Sequence, residues 1–320
     1  MMNEFTLISA YLKKLIKNNP NALNFNDDVF FEKKKQLVVS IDTYNEKIHF
    51  PNFLNPDFVA KKVLRSSISD LISKGVKPKY FFISASGNSK HFNSKNLKKF
   101  TLALNKEQKK FNLKLSGGDT VNSKNLSFSI TTLGFSKKIV KRNNAVINDD
   151  IYVAGNLGDS FVGLQILNKK YKVNKILRNY FISKYYCPDL SIKFSNHLHR
   201  FANSSMDISD GLVSDLTKLI NKQKLSYELF LDKVPISNNL SLFLNKFKQK
   251  KDKFVCNGDD YKILFTAPKS KRKFIKSLSI KMNQKVSIIG NINNYKKNKI
   301  LFKNKVKNLR NYHGYSHKFW

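Results

Sequence analysis

The chain is short of acid. Of its 320 residues only 22 are Asp or Glu, against 59 Lys or Arg, which leaves a formal net charge of +37. It has two cysteines, Cys187 and Cys256, in unrelated contexts. Without a Cys-x-x-Cys or a Cys/His ligand spacing, a zinc site or an iron–sulfur cluster is excluded, and both thiols are expected to be buried and reduced. No stretch approaches the roughly 18 uninterrupted apolar residues a membrane span needs. The start, Met1-Met2-Asn3-Glu4-Phe5, also lacks the apolar core of a signal peptide, so a cytoplasmic protein with no membrane partner is expected. Also missing are a Gly-x-x-x-x-Gly-Lys-Ser/Thr loop, a protein-kinase catalytic loop and a Gly-x-Gly-x-x-Gly after a strand; Gly155 and Gly158 make only a two-glycine near miss. Ordinary nucleotide folds are therefore disfavoured. No Ser-His-Asp order stands out, and His197 and His199, two apart, cannot share a helix face and read as surface residues.

The excess of base invites a nucleic-acid reading. The lysines, however, are spread through the chain among many asparagines instead of forming one basic tail or one Arg-rich stripe with interleaved aromatics. The charge reads as composition bias on a solvated surface, with no specific nucleic-acid partner, although such a surface still attracts anionic substrates.

Against that background the acids carry information. Asp27, Asp28, Asp42, Asp70, Asp119, Asp207, Asp210, Asp259 and Asp260, nine of the 22, fall in short motif-like segments at strand or helix ends. Short, stiff carboxylates at such places suit a hard, oxygen-seeking cation such as Mg²⁺. Ser40-Ile41-Asp42-Thr43 ends a strand; Ser116-Gly117-Gly118-Asp119-Thr120 reads as a turn whose glycines let backbone amides approach a phosphate; Met206 to Leu212 opens a helix with Asp210 near its N-cap; and Asn257-Gly258-Asp259-Asp260-Tyr261 precedes a strand. Taken singly, each also fits a plain turn, a cap or a loop.

Periodicity predicts helices over 4–17, 55–75 and 96–111 and strands over 36–42, 79–84 and 126–135, an α/β first half. The polar run Lys141 to Asp150 marks a boundary, dividing residues 1–145 from 146–320. The second half mixes strands at 151–154, 226–231, 261–266 and 285–290 with helices at 160–167, 191–201, 211–222 and 269–277.

Read in order, NEFTLI, NDDVFF, VVSIDT, HFP, SISDLISKGVKP, LSGGDT, LGF, RNNAVINDDIYVAGNLGDSFVGL, MDISDGLVSDL, NGDDYKILFT and the terminal GYSHKF resemble thiamine-monophosphate kinase across nearly the whole chain. The wider superfamily includes aminoimidazole-ribonucleotide synthetase and selenophosphate synthetase. The resemblance implies an α/β N-terminal domain that binds ATP and Mg²⁺ and pairs with a second subunit in a dimeric barrel, plus an α+β C-terminal domain. It implies that ATP phosphorylates thiamine monophosphate to thiamine diphosphate, the last step of that cofactor's biosynthesis, in a homodimer. Carried over position by position, Asp28, Ser40, Ile41, Asp42, Asp70, Asp119, Asp207 and Asp210 match metal-binding positions. Gly118, Asp119, Arg142 and Ser209 match nucleotide contacts, and His49, Asp259 and Tyr315 match substrate contacts. Asp42, Asp119, Asp207 and Arg142 would carry the catalytic charge. The family's Gly-Asp-Asp is Asn26-Asp27-Asp28 here, and its Gly-Gly-Glu-Asp-Tyr is Asn257-Gly258-Asp259-Asp260-Tyr261, so the substrate-side carboxylate is one methylene shorter. A selenophosphate synthetase would want a reactive cysteine near the N-terminus, and the first cysteine here is Cys187.

Overall fold

The computed structural model describes residues 4–295, 297–308, 314, 315 and 317. After a four-residue helix α1 (Glu4–Leu7), the first half forms a five-stranded sheet. Its strands are β1 (Phe30–Glu32), β2 (Leu37–Asn45), β3 (Pro78–Gly87), β4 (Lys114–Asn122) and β5 (Ser127–Phe135), in the order β1-β2-β5-β3-β4. Only β3 and β4 run parallel, joined through α3 (Ser94–Phe111), while α2 (Pro56–Ser73) connects β2 to β3. Strand β5 alternates buried and half-buried residues along its length, the signature of a sheet with one face on a core.

The second half builds a seven-stranded sheet ordered β12-β11-β8-β10-β6-β9-β7. It comprises β6 (Asp150–Ala154), β7 (Ser204–Asp207), β8 (Ser226–Phe230), β9 (Ile263–Ala267), β10 (Val286–Asn293), β11 (Lys299–Phe302) and β12 (Lys305–Lys307). Around it lie α4 (Asp159–Leu167), α5 (Lys175–Tyr186), α6 (Ile192–Ser195), α7 (Leu212–Leu219), α8 (Asn238–Lys246), α9 (Asp252–Val255) and α10 (Arg272–Lys281).

Helix α2 organises the whole. Pro56 is pre-set for its first turn, and Gly75, at φ +77, lets the chain leave just past its end. It touches β2 and β5 of the first sheet and β7 and β9 of the second, so it is buried almost all round. Val59, Val63, Leu64, Ile68 and Ile72 belong to a core shared with Phe81, Phe128 and Ile130 on one side and Phe194, Ile263 and Phe265 on the other. A helix enclosed this way must carry its polar residues into the interior. Lys62, Ser67, Ser69, Asp70 and, one residue past the end, Lys74 are delivered to the seam between the two sheets.

Three expectations need correction. The helix expected over 4–17 is α1 followed by a π turn (Ile8–Leu12) and a 3₁₀ turn (Lys13–Ile16); Tyr11, Leu12 and Leu15 stay exposed, so no buried stripe enforces α geometry. The side chain of Phe5, and Ser316, Lys318 and Phe319 of the terminal motif, lie outside the described residues. The Ser116 to Thr120 segment is strand, inside β4, not a turn. A Cβ on Gly118 would stand 1.9 Å from the carbonyl oxygen of Ile83, so its missing side chain is what lets β4 pair with β3 at the register break beside Ile83. Finally, Cys256 is buried but Cys187 is only half-buried; both are free. Within one chain and among the described residues the first sheet is open, with β1 and β4 at its edges, as a barrel completed by a second subunit would leave it.

Candidate active site

Three of the expected acids converge. Carboxylate oxygens of Asp28, Asp70 and Asp207 all lie within 4.8 Å of one another. They come from the loop before β1, from α2 and from the end of β7, so the cluster exists only because α2 is packed between the sheets. Each is held by a neighbour. The Ser40 hydroxyl donates to Asp70 Oδ2, and Ser69 Oγ donates to Asp207 Oδ2 at 2.7 Å. Arg142 Nε donates to Asp28 Oδ2 at 3.0 Å, and its guanidinium also pairs with Oδ1. Asp42, on the same strand face as Ser40, accepts from Tyr44 Oη at 3.2 Å, and Tyr44 Oη sits 3.0 Å from Ser67 Oγ.

The site is electrostatically uncomfortable when only protein is counted. Burial, and then the neighbouring Asp42 and Asp207, push the Asp70 carboxyl well above the ordinary range. Burial raises Asp42 to about 6, against the hydrogen bonds from Tyr44 and Ser67. Burial likewise raises Asp207 to about 6, against the bond from Ser69. Acids crowded together out of water disfavour their own charged forms unless a cation is supplied. The donor set is all oxygen, without sulfur or imidazole, which is the chemistry of Mg²⁺ or Ca²⁺ and not of zinc.

Other expected residues lie elsewhere. Ile41 is 68% exposed, its side chain pointing to the opposite sheet face from Ser40 and Asp42, so it has only its carbonyl to offer a cation. Asp119 does not join the acids within one chain. Its register runs from Ser84 through Ser129 to Thr43, on the Thr43 face, three strand spacings from β2 or roughly 14 Å. Asp210 stands next to the N-cap of α7, Gly211, as expected, but no side chain caps there and Asp210 pairs with Lys218. The backbone N–H groups of Asp210 and Gly211 are taken by Asp215 Oδ2, each at 3.0 Å. Ser209 sits in the loop between β7 and α7, its carbonyl accepting from the Asp259 N–H at 2.8 Å.

His49, Asp259 and Tyr315 gather in a second cluster, the Asp259 charge acting on both rings. The His49 ring packs edge-on to Tyr44 at 5.6 Å and lies 5.4 Å from His317, which meets Tyr315 edge-on at 5.0 Å. Burial and the neighbouring His317 lower His49 to about 4, so its imidazole stays neutral. Asp259 Oδ1 accepts from Lys62 Nζ at 2.6 Å and from Tyr261 Oη at 3.2 Å.

Sequence reasoning missed the lysines that hold these acids. Lys74 Nζ, wholly buried, lies 2.8 Å from Asp27 Oδ1, 2.7 Å from Asp28 Oδ2 and 2.7 Å from the Ser205 carbonyl. Lys62 is as deeply buried. Among 59 basic residues no local signal singles out these two; only the helical phase of Lys62, about one turn beyond Val59 on an inward-facing helix, hints at burial.

Two α/β halves with acids at their seam define a recognised class. Residues 25–136 match the family of AIR synthase related proteins, N-terminal domain. Thiamine-monophosphate kinase of Buchnera aphidicola subsp. Acyrthosiphon pisum is 32% identical over 323 residues, covering 98% of this chain and 98% of that protein. Among solved structures, AaThiL complexed with AMPPCP and TMP superimposes with a TM-score of 0.82 at 26% identity, covering 95% of this chain and 94% of that one. Thiamine monophosphate kinase from Aquifex aeolicus gives 0.81 at 26% identity, over 95% and 97%. The chain belongs to the thiamine-monophosphate kinase family.

Proposed function

We propose that this enzyme transfers the γ-phosphoryl group of ATP to thiamine monophosphate. The observation that carries the reading is the convergence of Asp28, Asp70 and Asp207 beside Arg142 in a chain of this family. A phosphate oxygen of thiamine monophosphate attacks the γ-phosphorus, the bond from that phosphorus to the β,γ-bridging oxygen breaks, and thiamine diphosphate and ADP result. The attacking oxygen is already an anion. No strong general base is needed, which agrees with a neutral His49. The obstacle is repulsion between two polyanions.

Asp28, Asp42, Asp70 and Asp207, with Ser40 and the Ile41 carbonyl, would hold Mg²⁺, and bound Mg²⁺ supplies the charge that screens phosphates and leaving group. Arg142 adds a guanidinium suited to phosphate oxygens, and Ser209 lies close by for the nucleotide. His49, Tyr315 and Asp259 are assigned to the acceptor, with neutral rings and one carboxylate in a cluster fit for its cationic organic part. The reaction is placed in the cytoplasm, in keeping with two free thiols and no helix among the described residues long and apolar enough to cross a membrane.

The test is ADP release by purified protein given ATP, Mg²⁺ and thiamine monophosphate, with free thiamine, aminoimidazole precursors and selenide as alternative acceptors. Release should need thiamine monophosphate and Mg²⁺ together and stop on adding EDTA. Equal release with free thiamine, or with no acceptor, contradicts the assignment.

The same reading includes a homodimer. All of β4 is exposed, and the adjoining sheet face shows Ile41, Phe82, Val121 and Phe135 to solvent. A second copy covering that face would bury this edge together with Gly118 and Asp119, the two expected nucleotide contacts that one chain leaves apart from the acids. Sedimentation at micromolar concentration should give twice 37.0 kDa. A species at the single-chain mass is the contrary result.

A further inference from the structure

We propose that Lys62 is a positioning residue for the acceptor, its buried ammonium holding one oxygen of Asp259 so that the other is left for the acceptor beside His49, Tyr315 and His317. The inference rests on the reading of Asp259 as an acceptor contact.

Lys62 is wholly buried on α2, and its ammonium has few partners of any kind. It lies 3.7 Å from the centre of the Tyr185 ring, 3.5 Å from the Tyr185 carbonyl and 2.6 Å from Asp259 Oδ1. Asp259 is its single carboxylate among the described residues. Both hydrogen bonds to the Asp259 side chain, from Lys62 and from Tyr261 Oη, fall on Oδ1. Oδ2 therefore has no protein donor among the described residues, on a side chain that remains 26% exposed. A carboxylate tied by one oxygen cannot swing, and its free oxygen is presented in a fixed direction.

The backbone makes the same point independently. Asp259 and Tyr261 both sit at positive φ, +67 and +50, a conformation non-glycine residues adopt at a cost. Their N–H groups are pinned to the Ser209 and Ile208 carbonyls at 2.8 and 2.7 Å. The loop is thus bent and anchored so that both side chains converge on Lys62. A buried ion pair is a poor way to gain stability, since apolar groups of similar volume serve as well. What the pair provides here is orientation.

The experiment measures both Michaelis constants and kcat for Lys62→Met, Asp259→Ala, the double variant and Tyr261→Phe. Lys62→Met should raise the KM for thiamine monophosphate roughly tenfold, the scale of one charge-assisted contact, while the ATP KM and kcat stay within about threefold. In the Asp259→Ala background the same change should add nothing to the acceptor KM, because its effect acts through Asp259. Tyr261→Phe should raise the acceptor KM by a smaller factor, about threefold, and it keeps the proposal testable should Lys62→Met fail to fold. A raised acceptor KM in Asp259→Ala with none in Lys62→Met or, failing that, in Tyr261→Phe overturns the positioning role alone. Independent, multiplying effects in the double variant overturn it too. An unchanged acceptor KM in Asp259→Ala removes the underlying reading of Asp259 instead.

Discussion

Asp70→Asn is expected to lower ADP release by about a thousandfold or more and, at the same time, to raise the melting temperature of the metal-free protein by a few degrees. The two signs come from one cause. Asp70 is half-buried, within 4.8 Å of Asp28 and Asp207 oxygens, and its partner in the first sheet is the Ser40 hydroxyl. Without a cation its charge is a liability, so a neutral isostere relieves repulsion; with a cation the same charge is the ligand, so the isostere cannot bind it. The pH dependence follows with its sign fixed. Asp42 and Asp207, raised from 3.8 to about 6, contribute stability in full below about pH 4 and lose it as pH rises through about 6. His49, lowered from 6.5 to about 4, works in the opposite direction over much the same window. Because His49 is no part of the acid cluster, its contribution cancels when melting is compared with and without Mg²⁺. The Mg²⁺-induced rise in melting temperature should therefore be larger at pH 7.5 than at pH 5, and it should vanish in Asp70→Asn. Near-normal turnover and an intact Mg²⁺ response in that variant would falsify the metal site.

The acids were legible because the background made them rare. Asp28, Asp70 and Asp207 each stood out within a short segment, and the structure brings those three together. Their meeting place was not legible, since it depends on a helix from the first half being enclosed by strands of the second. Asp119 shows the limit from the other side. Two glycines before an acid read locally as a phosphate turn, yet Gly118 is small because the Ile83 carbonyl leaves no room for a side chain. Local sequence cannot tell a glycine that admits a ligand from one that admits a neighbouring strand. Asp210 shows a similar limit: an Asp before a helix suggests a cap, but Asp215, three residues into α7, reaches back and takes the N–H groups first. Helices α5 and α8 escaped notice because Lys and Asn on their outer faces match the chain's general composition, and their Asn174 and Ser237 caps were not picked out against it.

The basic half of the site is where the largest effect on stability is expected. Lys74 is wholly buried one residue past the end of α2, where its charge also faces the carbonyl end of the helix dipole. Its three ammonium protons match three acceptors, Asp27 Oδ1, Asp28 Oδ2 and the Ser205 carbonyl, all at 2.7–2.8 Å. It therefore ties together the loop before β1, helix α2 and strand β7, the same three elements that supply the clustered acids. Lys74→Met keeps the stem and removes the charge, leaving Asp27 and Asp28 buried with only Arg142 against them. The expected loss is about 3–5 kcal/mol, the usual cost of breaking a buried pair from one side, or a fall in melting temperature of roughly 5–15 °C. The partner changes separate structure from chemistry. Asp27 accepts from Lys74 and from the Arg142 N–H at 2.9 Å, so it serves the scaffold, and adding Asp27→Asn to Lys74→Met should recover part of the loss by removing an unpaired charge. Asp28 faces the other acids, so millimolar Mg²⁺ should also restore part of the stability by supplying the missing positive charge there. Turnover at saturating Mg²⁺ should then remain measurable in Lys74→Met, in contrast to Asp70→Asn. Thermal melts of the single and double variants with and without Mg²⁺ decide the matter: a melting temperature within a degree of wild type would show that Lys74 does not hold the site together, and a loss that Mg²⁺ leaves unchanged would separate Lys74 from the proposed cation site.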